Sequence, residues 1–170
     1  MTRIDPAAFR RQELRSGCGN ALATLSRQLA DRYFERFAKS GPAVGLEFAG
    51  VQEIAEGRAQ NAAERRREEG QKLQALLQQG AALFLLDERG KNLPSEDFAA
   101  RIGAMRDTGR KSLVIAIGGA DGHEPALRDQ AELVISFGAL TWPHQLVRVM
   151  LGEQLYRVAT ILSGHPYHRA

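Results

Sequence analysis

Three short stretches place glycine and polar residues directly after an apolar run. Leu86-Asp87-Glu88-Arg89-Gly90 ends the run that starts at Ala82, and Ile117-Gly118-Gly119-Ala120-Asp121-Gly122 ends the run from Leu113. Phe137-Gly138-Ala139-Leu140-Thr141-Trp142-Pro143-His144 ends the run from Leu133. In an open α/β sheet ligands bind outside the carboxyl ends of the strands, and glycine there lets a ligand approach the backbone. Three such ends lining one crevice would suit a nucleoside-type cofactor. Each stretch also has a plain reading. The G-G-x-x-G spacing is not the dinucleotide fingerprint, no P-loop lysine follows it, and an Asp- and Gly-rich turn is usually only a turn.

His144 is either a helix-start residue with a hydrogen-bonded ring or a reactive group. The closing His165-Pro166-Tyr167-His168-Arg169 is dense in titratable side chains for a terminus, where residues ordinarily fray. Glu153 and Arg157 form an i, i+4 pair that requires no function. Arg65-Arg66-Arg67-Glu68-Glu69 reads as a solvated helix face, with Arg65 paired to Glu69. A lone cysteine, Cys18, and scattered histidines give no metal-ligand spacing.

The elements that position these residues follow from periodicity. Leu22, Leu25, Leu29, Tyr33 and Phe37 predict a helix over 21–39, stopped by Gly41-Pro42. Leu46–Ile54 reads as a strand and 58–79 as a helix. Ala82–Leu86, Leu113–Ile117 and Leu133–Phe137 read as strands buried on both faces. Ser95 caps a helix carrying Phe98, Ile102 and Met105 and ending near Gly109, and a short helix spans 124–131. The last helix, 143–163, buries Leu146, Val147, Met150, Leu151, Leu155, Val158 and Leu162, with Thr141 or Trp142 at its cap. Its interior Gly152 costs about 1 kcal/mol against alanine, which predicts a close contact with another backbone, as in a partner subunit. Strands alternating with helices predict an α/β fold, a parallel sheet with helices on both faces. Residues 1–20, with Pro6 and no alternation, show neither period. They are expected to be irregular or helical and weakly packed, with no strand pairing into the sheet, leaving 21–170 as the domain.

A chain of 170 residues supports one such domain, and its net charge of +3 permits a polyanionic partner without identifying one. Arginine far outnumbers lysine, which suits phosphates and stacked bases and equally suits a GC-rich genome. No run approaches the ~20 apolar residues of a membrane span, and the opening lacks the apolar stretch of a secretory signal. With a single cysteine, these features predict a cytoplasmic protein.

Ser136-Phe137-Gly138-Ala139-Leu140-Thr141-Trp142-Pro143-His144, continued to Arg157 and closed by the His165–Arg169 run, resembles the ribosomal RNA large subunit methyltransferase H family of the SPOUT superfamily. The likeness includes the Ile117-Gly118-Gly119 loop and extends through Leu85-Leu86-Asp87 to Arg32-Tyr33-Phe34. It implies a deep C-terminal trefoil knot, a homodimer, and S-adenosylmethionine as methyl donor without a metal. The implied donor contacts are Leu86, Gly118, Phe137, Gly138, Ala139, Leu140, Thr141 and Trp142. A Cβ at Gly118 would then intrude on the ligand. The implied substrate is N3 of a pseudouridine in 23S ribosomal RNA. Two departures stand out. The family's usual first buried strand and its Val-Gly-Lys or Val-Gly-Arg loop are missing from residues 1–20, which look like an unrelated sequence, as a miscalled start or shifted frame would leave. His123 and Gly152 stand where an apolar residue and alanine are common, away from the implied donor contacts.

The target nitrogen lies between two carbonyls and is mostly protonated at neutral pH, so a base must take its proton or a cation must stabilise the anion. Arg169, Tyr167, His168 and His144 are the candidates. Two other functions compete: a non-catalytic ribosome-binding SPOUT protein, and an α/β nucleotide-binding oxidoreductase. The absence of G-x-G-x-x-G weighs against the oxidoreductase.

Overall fold

The computed structural model describes the backbone of residues 1–10 and 17–169, and the side chains of 1–5 and 23–167. The strands are β1 (Thr2–Arg10), β2 (Leu46–Phe48), β3 (Gln52–Ala55), β4 (Ala82–Asn92), β5 (Ser112–Ile117) and β6 (Leu133–Ser136). The helices are α1 (Gly17–Ser40), α2 (Ala62–Leu76), α3 (Ser95–Asp107), α4 (Pro125–Gln130) and α5 (His144–Leu162), and a 3-10 turn, Pro166–Arg169, follows α5. The sheet runs β2-β1-β5-β4-β6, with β3 continuing beside β1, and every pairing is parallel.

Parallel strands need both faces covered, and alternation supplies the two cores. Ile4, Phe84, Leu86, Ile115 and Ile117 face a core shared with Phe34 and Phe37 of α1, Phe98 and Ile102 of α3, and Leu151 and Leu155 of α5. Leu83, Leu85, Val114 and Ala116 face a smaller core with Leu73 of α2 and Leu127 of α4. The expected α/β fold, a parallel sheet with helices on both faces, is what forms.

The opening segment departs from expectation. Thr2–Arg10 is a strand in the middle of the sheet, pairing with β5 on one side and with β2 and β3 on the other. Thr2 and Ile4 are buried while Arg3 is exposed, so the first residues do alternate. Thr2 N–H donates to the Gly45 carbonyl at 2.9 Å, Thr2 Oγ1 to the Arg110 carbonyl at 2.9 Å, and Arg3 N–H to the Lys111 carbonyl at 3.0 Å. Tertiary pairing decides this strand, because Pro6 has no N–H to give to a ladder and Asp5 Oδ1 is buried without a partner. Residues 11–16 of this segment lie outside the described residues.

Smaller differences have local causes. The strand expected over 46–54 is two strands, divided where Ala49 N–H donates to the Ile4 carbonyl at 3.0 Å. Helix α2 starts at Ala62 because the Asn61 side chain accepts from Glu64 N–H at 2.8 Å. Ser95 does not cap α3; Pro94 holds that position, and Ser95 Oγ bonds Gln154. Pro143, not Thr141 or Trp142, is the cap of α5. On α1 the buried face is Ala30, Phe34 and Phe37, while Leu25 and Leu29 are exposed, as is Leu146 on α5. Gly152 has an explanation within one chain. A Cβ there would stand 3.3 Å from the Ala30 carbonyl and 3.2 Å from Tyr33 Cβ, so the glycine permits the crossing of α5 on α1 within one chain.

β4 pairs with β6 twice. Leu86 stands opposite Ile135, the chain bulges through 87–90, and Lys91 returns opposite the same Ile135. Gly90 crosses directly over β6: a Cβ would run into the Ile135 backbone, 2.6 Å from its carbonyl oxygen.

Candidate functional site

The bulge of β4 after Leu86 and the carboxyl ends of β5 and β6 open into one cavity of about 620 Å³. Seven of the eight residues expected to contact a donor line it: Leu86, Gly118, Phe137, Gly138, Leu140, Thr141 and Trp142. Ala139 lies in the same segment without lining the cavity. Ser136 Oγ donates to the Gly138 carbonyl at 2.7 Å and accepts from its N–H at 3.2 Å, and Gly138 turns at φ +118°, a value L side chains rarely adopt. Leu140 and Trp142 stand exposed on this wall. His144 opens α5, half-buried, and also lines the cavity.

The opposite wall, Gly118–Gly122, is clamped from behind. Arg65 grips Asp121 with Nε at 2.7 Å from Oδ2 and Nη2 at 3.2 Å from Oδ1, and donates from Nη1 to the Ala59 and Gln60 carbonyls at 3.1 and 3.0 Å. That hydrogen bond holds the Asp121 carboxyl below its ordinary range. Glu69 is buried and accepts from Gly57 N–H at 2.9 Å, and a Cβ on Gly119 would stand 2.8 Å from its Oε2. Burial pushes the Glu69 carboxyl up. The expected Arg65–Glu69 surface pair therefore does not form; each side chain turns inward to the glycine loop instead.

His123 was expected to lie away from the donor contacts, and it does not. Its Nε2 is 3.0 Å from the Leu86 carbonyl oxygen, and burial pulls the imidazole down. A Cβ on Gly118 would meet this ring at 3.1 Å, so it points away from the space a ligand would take, contrary to expectation.

The tail lies elsewhere in the single chain. Tyr167 packs its ring on Tyr156 at 4.7 Å, under the Arg157 guanidinium at 5.2 Å, with its hydroxyl 3.3 Å from Glu153 Oε1. Arg157 holds Glu153 at 2.6 and 2.9 Å, the expected i, i+4 pair. Burial first, then the bond to Tyr33, pushes the Tyr167 hydroxyl up to about 12, so at neutral pH it donates rather than takes a proton. Tyr33 and Glu153 line a second cavity of about 380 Å³, between α1, α3 and α5, which shares Ile135, Ser136 and Phe137 with the first. Glu153 is nine residues along α5 from His144, roughly 14 Å at 1.5 Å per residue. One chain thus brings His144 to the donor contacts and leaves Tyr167 apart. The side chains of His168 and Arg169 lie outside the described residues.

Among the described residues no cluster of histidine, cysteine and carboxylates could hold a metal, and no helix is long and apolar enough to cross a membrane. Periodicity missed Arg65, Glu69 and His123 as parts of the site, whereas Asp121 lay in the glycine stretch already singled out. Only His123, as a polar residue in a position usually apolar, gave a signal.

A family model described as "predicted SPOUT methyltransferase" matches residues 17–168, from the first residue of α1. A protein of Mesorhizobium japonicum named ribosomal RNA large subunit methyltransferase H is 78% identical over 152 residues, 89% of this chain and 95% of that protein. Proteins of the same name from Brucella anthropi and a Chelativorans species are 60% and 62% identical, each over 89% of this chain and covering 95% and 87% of their own lengths. Among solved structures, the A. aeolicus TrmH/SpoU tRNA modifying enzyme overlaps only loosely, with a TM-score of 0.39 at 10% identity over 98% of this chain and 76% of its own. The chain belongs to the SPOUT methyltransferase family.

Proposed function

We propose that this chain is an S-adenosylmethionine-dependent methyltransferase acting on N3 of a pseudouridine in 23S ribosomal RNA. The observation that carries the reading is the convergence of seven expected donor contacts on one cavity, in a chain whose relatives are named for methylating large-subunit RNA. The donor fits the residues present. Gly118 turns its Cβ direction inward, leaving backbone open to a ligand, and Asp87 and Glu88 on the rim suit a cation. When bound, the sulfonium supplies an electrophilic methyl group, and the protein's task is chiefly alignment.

His144 is the titratable candidate that reaches this cavity, and it takes or holds the N3 proton. Tyr167 serves as a hydrogen-bond donor to the developing anion rather than as a base, with His168 and Arg169 beside it in the tail. Because Tyr167 sits apart from His144 in one chain, a tail that works at this cavity works from a second copy. Exposed Leu25, Leu29 and Leu146 on the α1–α5 face favour the dimer, which now rests on them and no longer on Gly152. The crossing of Gly90 over Ile135 supports the knot. Arg66, Arg89 and Arg128 on the cavity rim favour contact with RNA phosphates, and a ribosomal substrate implies a cytoplasmic protein.

The test is transfer of labelled methyl from S-adenosylmethionine to large ribosomal subunits lacking the modification, with calorimetry against S-adenosylmethionine and a nicotinamide cofactor run alongside. Label should appear at one pseudouridine. Donor binding without transfer would point to a non-catalytic ribosome binder; nicotinamide binding instead would overturn the reading.

A further inference from the structure

His123 lies behind the two residues where a donor must enter. The residue is 5% exposed, and its Nε2 is 3.0 Å from the Leu86 carbonyl oxygen. Leu86 is the last residue of β4 before its bulge and stands opposite Ile117 of the neighbouring β5, the residue before Gly118. The imidazole therefore bridges the β4 backbone at Leu86 and the Gly118 turn that follows β5. Gly118 N–H also donates to the Leu86 carbonyl, at a long 3.4 Å. Gly118 itself rests on the ring, with room for no Cβ beyond 3.1 Å. An apolar side chain would fill this space and leave the carbonyl without its closer donor.

We propose that His123 is a positioning residue of the donor site: by donating from Nε2 to the Leu86 carbonyl it sets the gap between Leu86 and Gly118 that receives the methyl donor. This rests on the cavity being the donor site. A second consequence follows from charge. The donor is a sulfonium cation, so a protonated, buried imidazole beside it would be a like charge at close range. Asp87 in the bulge of β4 favours that proton and Arg128 on α4 opposes it, while burial, the largest influence, keeps the ring neutral at pH 7. Donor binding and protonation of His123 are then antagonistic, and the antagonism is reciprocal.

Two measurements test this. The first is calorimetry of S-adenosylmethionine with the wild type, His123→Leu and His123→Gln at pH 7.5, beside kcat at saturating donor. Loss of one hydrogen bond to a buried carbonyl predicts about five- to tenfold weaker binding in His123→Leu, with kcat nearly unchanged. His123→Gln, which keeps an N–H donor, should stay within about twofold of the wild type. Equal affinity in a folded His123→Leu overturns the proposal, as does equal weakening in both variants. The second uses the unaltered protein, so it stands even if the leucine variant does not fold. Nitrogen NMR of the imidazoles should find His123 neutral and protonated at Nε2 at pH 7, titrating below the ordinary 6.5 and lower still with donor bound. A bare Nε2, or a titration indifferent to donor, sinks it. Wild type that binds no donor at all defeats the reading of the cavity itself, whatever the tautomer of His123.

Discussion

The two walls of the cavity are built by different means. The Gly118–Gly122 wall is backed by two side chains from a distant helix, Arg65 on Asp121 and Glu69 under Gly119, and by the adjacent His123 under Gly118. The Phe137–Trp142 wall has no comparable grip. It turns on a bond between Ser136 and Gly138 and is rooted where Gly90 crosses Ile135. The first wall is held by the Arg65–Asp121 ion pair and by packing on Glu69 and His123, the second by backbone shape, which leaves Leu140 and Trp142 free to face a ligand. A site that must hold one molecule firmly and admit another is served by that asymmetry.

If backbone shape alone roots the open wall, one added methyl should break it. Gly90→Ala puts a Cβ into the Ile135 main chain, where no side chain can give way. We expect a loss of about 3 kcal/mol or more, read as collapse of the thermal melt or of soluble yield. A stable Gly90→Ala protein would show that the crossing has slack.

Arg65→Ala attacks the other wall. It removes a forked bond to Asp121 and two carbonyl contacts, and because the pair is partly exposed the melting temperature should fall by less than in Gly90→Ala. Donor affinity should fall with it, since the freed loop carries Gly118. Arg65→Lys should not restore either, because an ammonium cannot reproduce the fork. Full rescue by lysine would reduce the clamp to simple charge attraction.

The same asymmetry explains what was legible. The strand ends at Leu86, Gly118 and Phe137 could be read because a buried run followed by glycine is a local pattern. The clamp could not. Arg65 and Asp121 are 56 residues apart, and helical spacing offered Arg65 a nearer partner in Glu69. His123 announced itself only by its polarity. The opening strand was missed for a related reason: Pro6 and Asp5 argue against a strand locally, while the slot between β5 and β2 is a tertiary fact. Leu25 and Leu29 keep helical spacing yet stay exposed, since periodicity identifies a stripe without saying what covers it.

On the open wall the expected effect falls on function rather than stability. Trp142→Ala removes a half-exposed ring that buries little, so the melt should move by no more than about 0.5 kcal/mol. If the indole faces the adenine of the donor, affinity should drop roughly tenfold, the scale of one lost stacking contact. Calorimetry on the variant decides it. A large stability loss with donor binding intact would mean that this wall, too, is structural.

The smallest expected effect concerns the clamp's own cost. Glu69 is 4% exposed and accepts from Gly57 N–H, yet burial is the largest influence on it and holds its carboxyl above the ordinary 4.5. Glu56 and Asp121 push the same way, while the Gly57 bond and Lys72 push back. The folded chain therefore binds this proton more tightly than the unfolded chain does. Where that holds, stability falls as pH rises. The favourable contribution is complete below about pH 4.5 and is lost as pH climbs through the folded value, so at neutral pH the buried carboxylate is a liability that the Gly57 bond only partly offsets. Glu69→Gln keeps an acceptor for Gly57 N–H and removes the titration. It should melt slightly higher than the wild type at pH 7.5 and at the same temperature at pH 4, with the crossover tracing the carboxyl's titration. A glutamine variant less stable than the wild type at pH 7.5 would mean that the charge itself grips the glycine loop, and the clamped wall would owe its rigidity to Glu69 as much as to Arg65.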